Sequence, residues 1–354
     1  MSRANETMPA FAGECVSAST SSGYAIVVNC VPMLDRRRPD SRSTKSRLRR
    51  SGTVLIRPRH DSVVSVMSTD IHEHLWPPSF FSSLSARSEP PRLRGRALEL
   101  AGAPVWELDV ASHELDARLA LMDRFELDRA VVSLQPTLGI DRLPAEEALE
   151  LIETWEVGIL ELAGAAHGRI IPLAAREPAD GFAGLCVAGA ELLDLDALAP
   201  RLDALIESGR FLFVHPGAAV PPPGAPSWWT AIVDYTAEMQ AAYIAWLAAG
   251  AARWPELDVV FAILAGGAPI QLERMAARGV EERSAMLPHI WFDTATYGRR
   301  ALDLAMSTYG VEPMLFGSDM PVVDPVSALD VLRSFGEAVT DAVLSTNPAE
   351  LLRQ

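Results

Sequence analysis

The chain has 354 residues with 49% hydrophobic content, which is enough for one large domain with a buried core and argues against a disordered protein. Its net charge of −15 disfavours nucleic acid as a ligand, and no apolar run approaches the roughly 18 residues that span a bilayer. Three scattered cysteines offer neither a disulfide framework nor a CxxC zinc site, so we expect a cytoplasmic protein.

The first 66 residues differ in charge from the rest. They carry eleven Lys or Arg against five Asp or Glu, and the stretch RRRPDSRSTKSRLRR at 36–50 is rich in Arg and Ser. This bias predicts a solvated, disordered basic arm over residues 1–66, although binding of nucleic acid or anionic lipid by the arm stays open. Met67 as the true start is an alternative. We therefore expect an arm at 1–66 and one domain at 67–354.

After Met67, short apolar runs alternate with amphipathic segments of helical spacing. The predicted strands, in chain order, are Thr69–Leu75, Ala130–Leu134, Arg169–Ala175, Gly184–Ala188, Phe211–His215, Leu257–Leu264, Ile290–Thr296 and Pro313–Ser318. Eight strand–helix units in under 300 residues predict a parallel α/β fold, a (β/α)8 TIM barrel. An open doubly wound sheet would need a glycine-rich turn after its first strand, where HEHLWPP stands instead. The long insertion at 76–112 should lie over the C-terminal mouth of the barrel.

Chemistry-bearing side chains occur at the ends of three predicted strands. His72 and His74 are two residues apart in the first strand, so they share a face and Glu73 points the other way. His215 ends the fifth strand and Asp319 follows the eighth. Three imidazoles and a carboxylate that meet at one end of a barrel predict a site for a divalent cation with room for water.

These motifs resemble a known family. DIHEH on the first strand, VHPG on the fifth, GSDMP on the eighth and a final STNPAELL resemble the amidohydrolase-related family, near aminocarboxymuconate-semialdehyde decarboxylase and its relatives, over about residues 67–354. The resemblance implies that His72, His74, His215 and Asp319 bind the metal, with zinc expected. It also implies that Asp319 is catalytic and orients or deprotonates a metal-bound water.

Two features of the sequence indicate how the metal site of this chain compares with that of the family. Family members with two metals bridge them with a carboxylated lysine, whereas the single lysine here is Lys45, in the arm, so we expect one metal ion. Glu191 could replace that bridge, but a position at the start of a helix explains it better. The family also places a histidine at the end of the sixth strand, where this chain has Ile263 in FAILAGG. The proton donor is therefore open.

Other residues near the predicted mouth have weaker assignments. Arg176 could grip a substrate carboxylate, and a salt bridge explains it equally well. Tyr297 could hydrogen-bond a substrate or pack the rim. Asp293 is expected to partner a metal-bound imidazole. His113 is interpreted as a surface helix cap, although it could swing into the site.

Three functions fit the sequence. The first is a mononuclear metal-dependent hydrolase, in which a metal-activated water attacks a small, carboxylate-bearing substrate. The alternative is a non-oxidative decarboxylase of an aromatic or unsaturated acid, which the resemblance implies but which Ile263 weakens. The third is a degenerate barrel that binds a ligand without turning it over. The expected partner is a small molecule, with no membrane, and the resemblance allows a homodimer.

Overall fold

A computed structural model describes residues 67–280 and 287–353. The predicted basic arm, 1–66, lies outside these residues, so it stays a prediction. In the two described ranges, every helix is too short or too polar to cross a membrane.

Short strands alternate with helices along the described chain. The strands are β1 (Thr69–Glu73), β2 (Arg92–Arg94), β3 (Ala97–Glu99), β4 (Trp106–Glu107), β5 (Arg129–Val132), β6 (Ile170–Pro172), β7 (Gly184–Ala188), β8 (Phe211–His215), β9 (Val259–Phe261), β10 (Ile290–Asp293) and β11 (Met314–Leu315). The helices are α1 (Pro78–Ala86), α2 (Leu115–Phe125), α3 (Ala145–Ala165), α4 (Leu195–Ser208), α5 (Tyr235–Ala245), α6 (Ala251–Arg253), α7 (Ile263–Gly267), α8 (Leu272–Ala276), α9 (Arg299–Tyr309), α10 (Pro325–Arg333), α11 (Glu337–Asp341) and α12 (Asn347–Leu351).

Two parallel sheets form the centre of the protein. One has the order β1-β5-β6 and the other β11-β10-β9-β8-β7. Parallel bridges connect the two sheets, Ala174 with Leu185 on one side and Glu73 with Met320 on the other. The strands are buried on both faces, as expected for a parallel sheet covered by helices. Their carboxyl ends lie at the same edge, which places the residues that follow them near one another.

Each of the eight predicted strands overlaps an observed parallel strand, but six of them are shorter than predicted, and the sixth is shortened most. Strand β9 ends at Phe261, and Ile263 to Gly267 form a tight turn instead of continuing the strand to Leu264. Leu264 has φ 49° and Gly266 has φ 64°, so the turn is left-handed. A side chain at Gly266 would collide with the backbone oxygen of Thr236 on α5, so only glycine fits where this turn packs.

The insertion after β1 is more ordered than a loop. It contains α1 and the antiparallel sheet β2-β3-β4. Together with the loops after β5 and β8, it encloses a cavity of about 100 Å³ whose lining includes Pro91, Trp106, Thr137, Ala218 and Tyr235. The insertion therefore lies at the carboxyl end of the strands, as the sequence predicts.

Candidate metal centre

The four predicted ligands meet at the carboxyl ends of the strands. His72 and His74 extend from β1, His215 ends β8, and Asp319 follows β11. One ligand atom from each of these residues lies within 4.8 Å of the others, and we call this group the His3Asp cluster. The three imidazole rings are 5.0 to 5.1 Å apart and nearly perpendicular to one another.

Each imidazole is held by a hydrogen bond at Nδ1. The Nδ1–H of His72 donates to Oδ2 of Asp293 at 2.6 Å, that of His74 to the carbonyl of Ser133 at 3.1 Å, and that of His215 to the carbonyl of Pro216 at 2.8 Å. Because an acceptor fixes Nδ1 as the protonated nitrogen of the neutral ring, Nε2 is the nitrogen that each ring can offer to a metal.

The imidazoles are buried beside several carboxylates. Burial lowers the pKa of His72, but the carboxylates of Asp293, Asp319 and Asp70 outweigh it and raise the pKa to about 9. Burial lowers the pKa of His74, and burial with the two neighbouring imidazoles lowers the pKa of His215 well below its usual range. The imidazoles of His215 and His74 are therefore neutral at pH 7.

The cluster has the chemistry of a divalent metal site. Nε2 of His72 is buried without a hydrogen-bond partner among the described residues, and Oδ1 of Asp319 is 3.6 Å from it and 3.3 Å from Nε2 of His74. Leaving a buried polar atom unpaired is costly unless something binds it. Three imidazoles and one carboxylate are the donor set of zinc and related transition metals, so the residues fit one such ion.

The backbone around Asp319 is built to present its carboxylate. Its N–H donates to the carbonyl of His72 at 2.8 Å, and its φ of 63° is left-handed, a conformation that Asp tolerates. Asp70, buried in β1, accepts from the N–H groups of His72 and Ser318 at 3.0 and 3.1 Å. These bonds fix the segment after β11 against β1.

Asp293 on β10 is the main support of His72, as the sequence predicts. Besides the imidazole, its carboxylate accepts from the N–H of Ile263 at 3.2 Å and of Ala295 at 2.8 Å. A side chain at Gly317 would overlap this carboxylate, so glycine is required there for Asp293 to reach His72. Asp293 therefore joins β10, the turn after β9 and the His3Asp cluster.

Replacing Asp293 with Asn should weaken metal binding by about 10- to 100-fold, because the amide loses the charge that fixes the imidazole of His72. Calorimetric titration of metal-free protein with Mn²⁺ or Zn²⁺ measures this. Asp303→Asn, an exposed position on α9, is the matched control and should bind metal as the wild type does. Equal affinity of the two variants would rule out a supporting role for Asp293.

Two further predicted site residues lie outside the cluster. Arg176 is exposed after β6. Burial raises the pKa of Glu156 on α3, and the charge of Arg176 only partly offsets that rise. Burial raises the pKa of Tyr297, and the side chain of Thr236 partly offsets that rise. Substrate roles for Arg176 and Tyr297 stay predictions.

His113 and Glu191 lie outside the His3Asp cluster, and contacts with neighbouring residues account for both. The interpretation of His113 as a surface cap is wrong, because the residue is buried, its ring stacks on Trp76, and its Nδ1 accepts from the N–H of Trp76 at 3.0 Å. The apolar insertion, which the sequence pattern left as a loop, covers it. Glu191 accepts from the N–H of Ala188 at the start of a helical turn and pairs with Arg201, as its helix-start position predicts.

A buried ion pair behind the cluster was not predicted. Glu73, which faces away from the two histidines, pairs with Arg118 of α2, and both side chains are at most 1% exposed. Arg118 also donates to the carbonyls of His74 and Ser112, each at 3.1 Å. A charged residue between two histidines of a buried strand was the available signal, because a buried charge requires a partner.

The parallel α/β fold and the His3Asp cluster define an enzyme of the amidohydrolase superfamily. The chain belongs to the amidohydrolase family, whose family model matches residues 69–354. Among curated proteins, no sequence matches it significantly.

Several solved structures are similar in fold. IDCase of Metarhizium anisopliae in its apo form has 20% identity and a TM-score of 0.65, covering 81% of this chain and 97% of its own. The 5-carboxyvanillate decarboxylase of Sphingomonas paucimobilis has 19% identity and a TM-score of 0.61, covering 82% and 99%. A dihydroxybenzoic acid decarboxylase of Polaromonas, with bound manganese and the inhibitor 2-nitroresorcinol, has 18% identity and a TM-score of 0.62, covering 81% and 97%.

Proposed function

We propose that this protein is a non-oxidative decarboxylase that uses one divalent metal ion to release carbon dioxide from a small aromatic or unsaturated acid. The observation that carries the proposal is the His3Asp cluster at the strand ends of a fold shared with solved decarboxylases. This reverses the order of the two leading hypotheses from the sequence, which placed hydrolysis first.

We also infer that the eight parallel strands close into a (β/α)8 barrel. The two bridges between the sheets support closure, because they join β6 to β7 and β1 to the segment after β11. In such a barrel, catalytic residues lie at the carboxyl ends of the strands, where the cluster is found.

The chain supplies a preorganised site. His72, His74, His215 and Asp319 would hold the ion, which when bound supplies positive charge that anchors and polarises substrate oxygens. The Nδ1 hydrogen bonds keep the three imidazoles in the tautomer that binds metal. The carboxylate of Asp319 is 17% exposed, so it can face a substrate as well as the cluster. The sequence favours zinc, and the manganese in the Polaromonas enzyme makes Mn²⁺ the second ion to test.

Hydrolysis is the second candidate, and Ile263 favours it. An aliphatic side chain stands where the resemblance expects a proton-carrying histidine. Hydrolysis tolerates this change, because Asp319 can act as the base.

A substrate panel separates the two functions. Protein loaded with Zn²⁺ or Mn²⁺ is incubated with hydroxybenzoic acids and unsaturated dicarboxylic acids, and with lactones, esters and amides, while carbon dioxide and product are quantified. Decarboxylation predicts carbon dioxide in equal amount to product. Cleavage of a lactone, ester or amide without carbon dioxide would replace the proposal with hydrolysis.

Replacing Ile263 with His should raise the decarboxylation rate, because it restores a proton carrier beside Asp293 and His72. The backbone should accept the change: Ile263 has φ 47°, a region that is strained for β-branched residues and more accessible to His. The turnover number and the melting temperature are measured on the same sample. An unchanged turnover number in a stable variant would favour the hydrolase.

A further inference from the structure

The group that holds His215 differs from the one that holds His72. Asp293 presents a carboxylate to His72, whereas the Nδ1–H of His215 donates to the backbone carbonyl of Pro216 at 2.8 Å. A carbonyl is neutral, so by itself it polarises an imidazole less than a carboxylate does. The strength of the bond to His215 therefore depends on what binds the other side of the Pro216 peptide.

A carboxylate of α5 binds that peptide at its N–H. The carbonyl of Pro216 and the N–H of Gly217 belong to one planar peptide unit. The N–H of Gly217 donates to both carboxylate oxygens of Glu238, each at 3.0 Å. A continuous chain of hydrogen bonds thus runs from Glu238 through the peptide to Nδ1 of His215, whose ring belongs to the His3Asp cluster.

The backbone packs closely around the carboxylate of Glu238. A side chain at Gly217 would lie 3.0 Å from Oε1 of Glu238, and a side chain at Gly189 would lie 3.2 Å from the same atom. The N–H of Ala190 also donates to this oxygen, at 2.8 Å. Glu238 is therefore fixed by the segments that follow β7 and β8, and glycine at both positions allows its close approach.

The hydrogen bonds of Glu238 are those of an ionised carboxylate. Both oxygens accept from N–H groups, and within the described ranges Glu238 makes no ion pair that would neutralise its charge. Burial raises the pKa of Glu238, and the N–H groups of Ala190 and Gly217 oppose that rise because they bind the charged form. An anion that accepts from the peptide N–H increases the negative charge on the carbonyl oxygen of the same peptide, which strengthens the bond to Nδ1 of His215.

We propose that Glu238 is a positioning residue of the metal centre, whose carboxylate acts through the Pro216–Gly217 peptide to orient His215 and strengthen it as a ligand. The inference rests on the proposed function, in which His215 holds the metal ion. Glu238 gives His215 the anionic support that Asp293 gives His72 directly. Because a peptide unit intervenes, the effect of Glu238 on metal affinity should be smaller than that of a carboxylate in direct contact.

The test compares Glu238→Gln with Glu156→Gln. Glutamine has nearly the same size and keeps one oxygen that accepts from an N–H, so the loops stay in place while the charge is lost. Glu156 on α3 is the matched control, because it is also half-buried and accepts from the N–H of Ala175 at 2.9 Å, after the strand β6, which carries no ligand of the cluster.

The first measurement is calorimetric titration of metal-free protein with Zn²⁺ or Mn²⁺. Glu238→Gln should weaken metal binding by about 3- to 10-fold, which is less than the effect of removing a direct partner of a ligand. Glu156→Gln should stay within twofold of the wild type. The melting temperature of each variant is recorded on the same sample.

The second measurement reads the bond to His215 without metal. Metal-free protein labelled with ¹⁵N at histidine is examined by NMR, and the Nδ1–H resonance of His215 is assigned by its absence from His215→Asn. A weaker bond moves this proton resonance upfield in Glu238→Gln, whereas Glu156→Gln should leave it unchanged. A side chain that only braces two loops would lower the melting temperature without moving the resonance.

The two measurements separate this inference from the proposed function. An unchanged His215 resonance in Glu238→Gln, or a metal affinity within twofold of the wild type, would overturn the role of Glu238 and leave the decarboxylase proposal intact. If the wild type binds neither ion, the proposed function fails for that reason. The resonance then decides by itself whether Glu238 acts on His215, because it is measured in metal-free protein.

Discussion

Replacing His72 and His74 together with Ala should remove bound metal and activity at once. Losing a partner that only orients a ligand already costs about 10- to 100-fold in metal affinity, and this variant removes two ligands. These two side chains are also two of the three imidazole rings in the His3Asp cluster, and their planes are nearly perpendicular. Elemental analysis after gel filtration should find less than about a tenth of an ion per chain.

The control for this experiment is His167→Asn. His167 is exposed and has φ 52°, which Asn accommodates, so the variant removes an imidazole without touching the cluster. It should keep wild-type metal content and turnover. A double alanine variant that retains one ion per chain, or that stays active, would show that the metal lies elsewhere.

Replacing Arg118 with Met should destabilise the protein by about 3–5 kcal/mol, because it leaves Glu73 as an unpaired charge in a dry interior. The carbonyls of His74 and Ser112 lose a donor in the same variant. Burial already raises the pKa of Glu73 despite its partner, so Glu73 should bind a proton more readily once Arg118 is gone. A neutral Glu73 costs less to bury than a charged one. The loss of unfolding free energy in Arg118→Met should therefore be smaller at pH 5 than at pH 8. Urea unfolding at both values measures it.

Two variants test whether the ion pair causes this effect. Adding Glu73→Leu to Arg118→Met removes both charges and should recover most of the stability. Arg333→Met breaks an exposed pair with Glu126 and should cost no more than about 1 kcal/mol. A loss below 1 kcal/mol for Arg118→Met would contradict the account of the buried pair.

Much of the fold could be predicted because the hydrophobic pattern and the length of the apolar runs indicate the same strands. The buried runs at Gly184–Ala188 and Phe211–His215 are strands with the predicted bounds. The turn after Phe261 could not be predicted, since FAILAGG reads as a continuous apolar strand and its left-handed backbone is fixed by packing on α5. The β2-β3-β4 sheet was missed because its strands are only two or three residues long.

The candidate metal ligands could be predicted from motifs, whereas some of the groups that orient them could not. The four side chains are chemically distinctive and lie at or near the carboxyl ends of predicted strands: His72, His74, His215 and Asp319. Two of the three Nδ1 acceptors are backbone carbonyls, at Ser133 and Pro216, and any residue type supplies a carbonyl. Arg118 is ordinary in sequence, and its importance comes from the packing of α2 against β1.

The central claim is that four side chains from three strands hold one divalent ion. The direct measurement is metal content per chain after dialysis of metal-free wild-type protein against excess Zn²⁺ or Mn²⁺ and removal of the free ion. We expect one ion per chain. Two ions per chain, or no retained ion under either condition, would contradict the account.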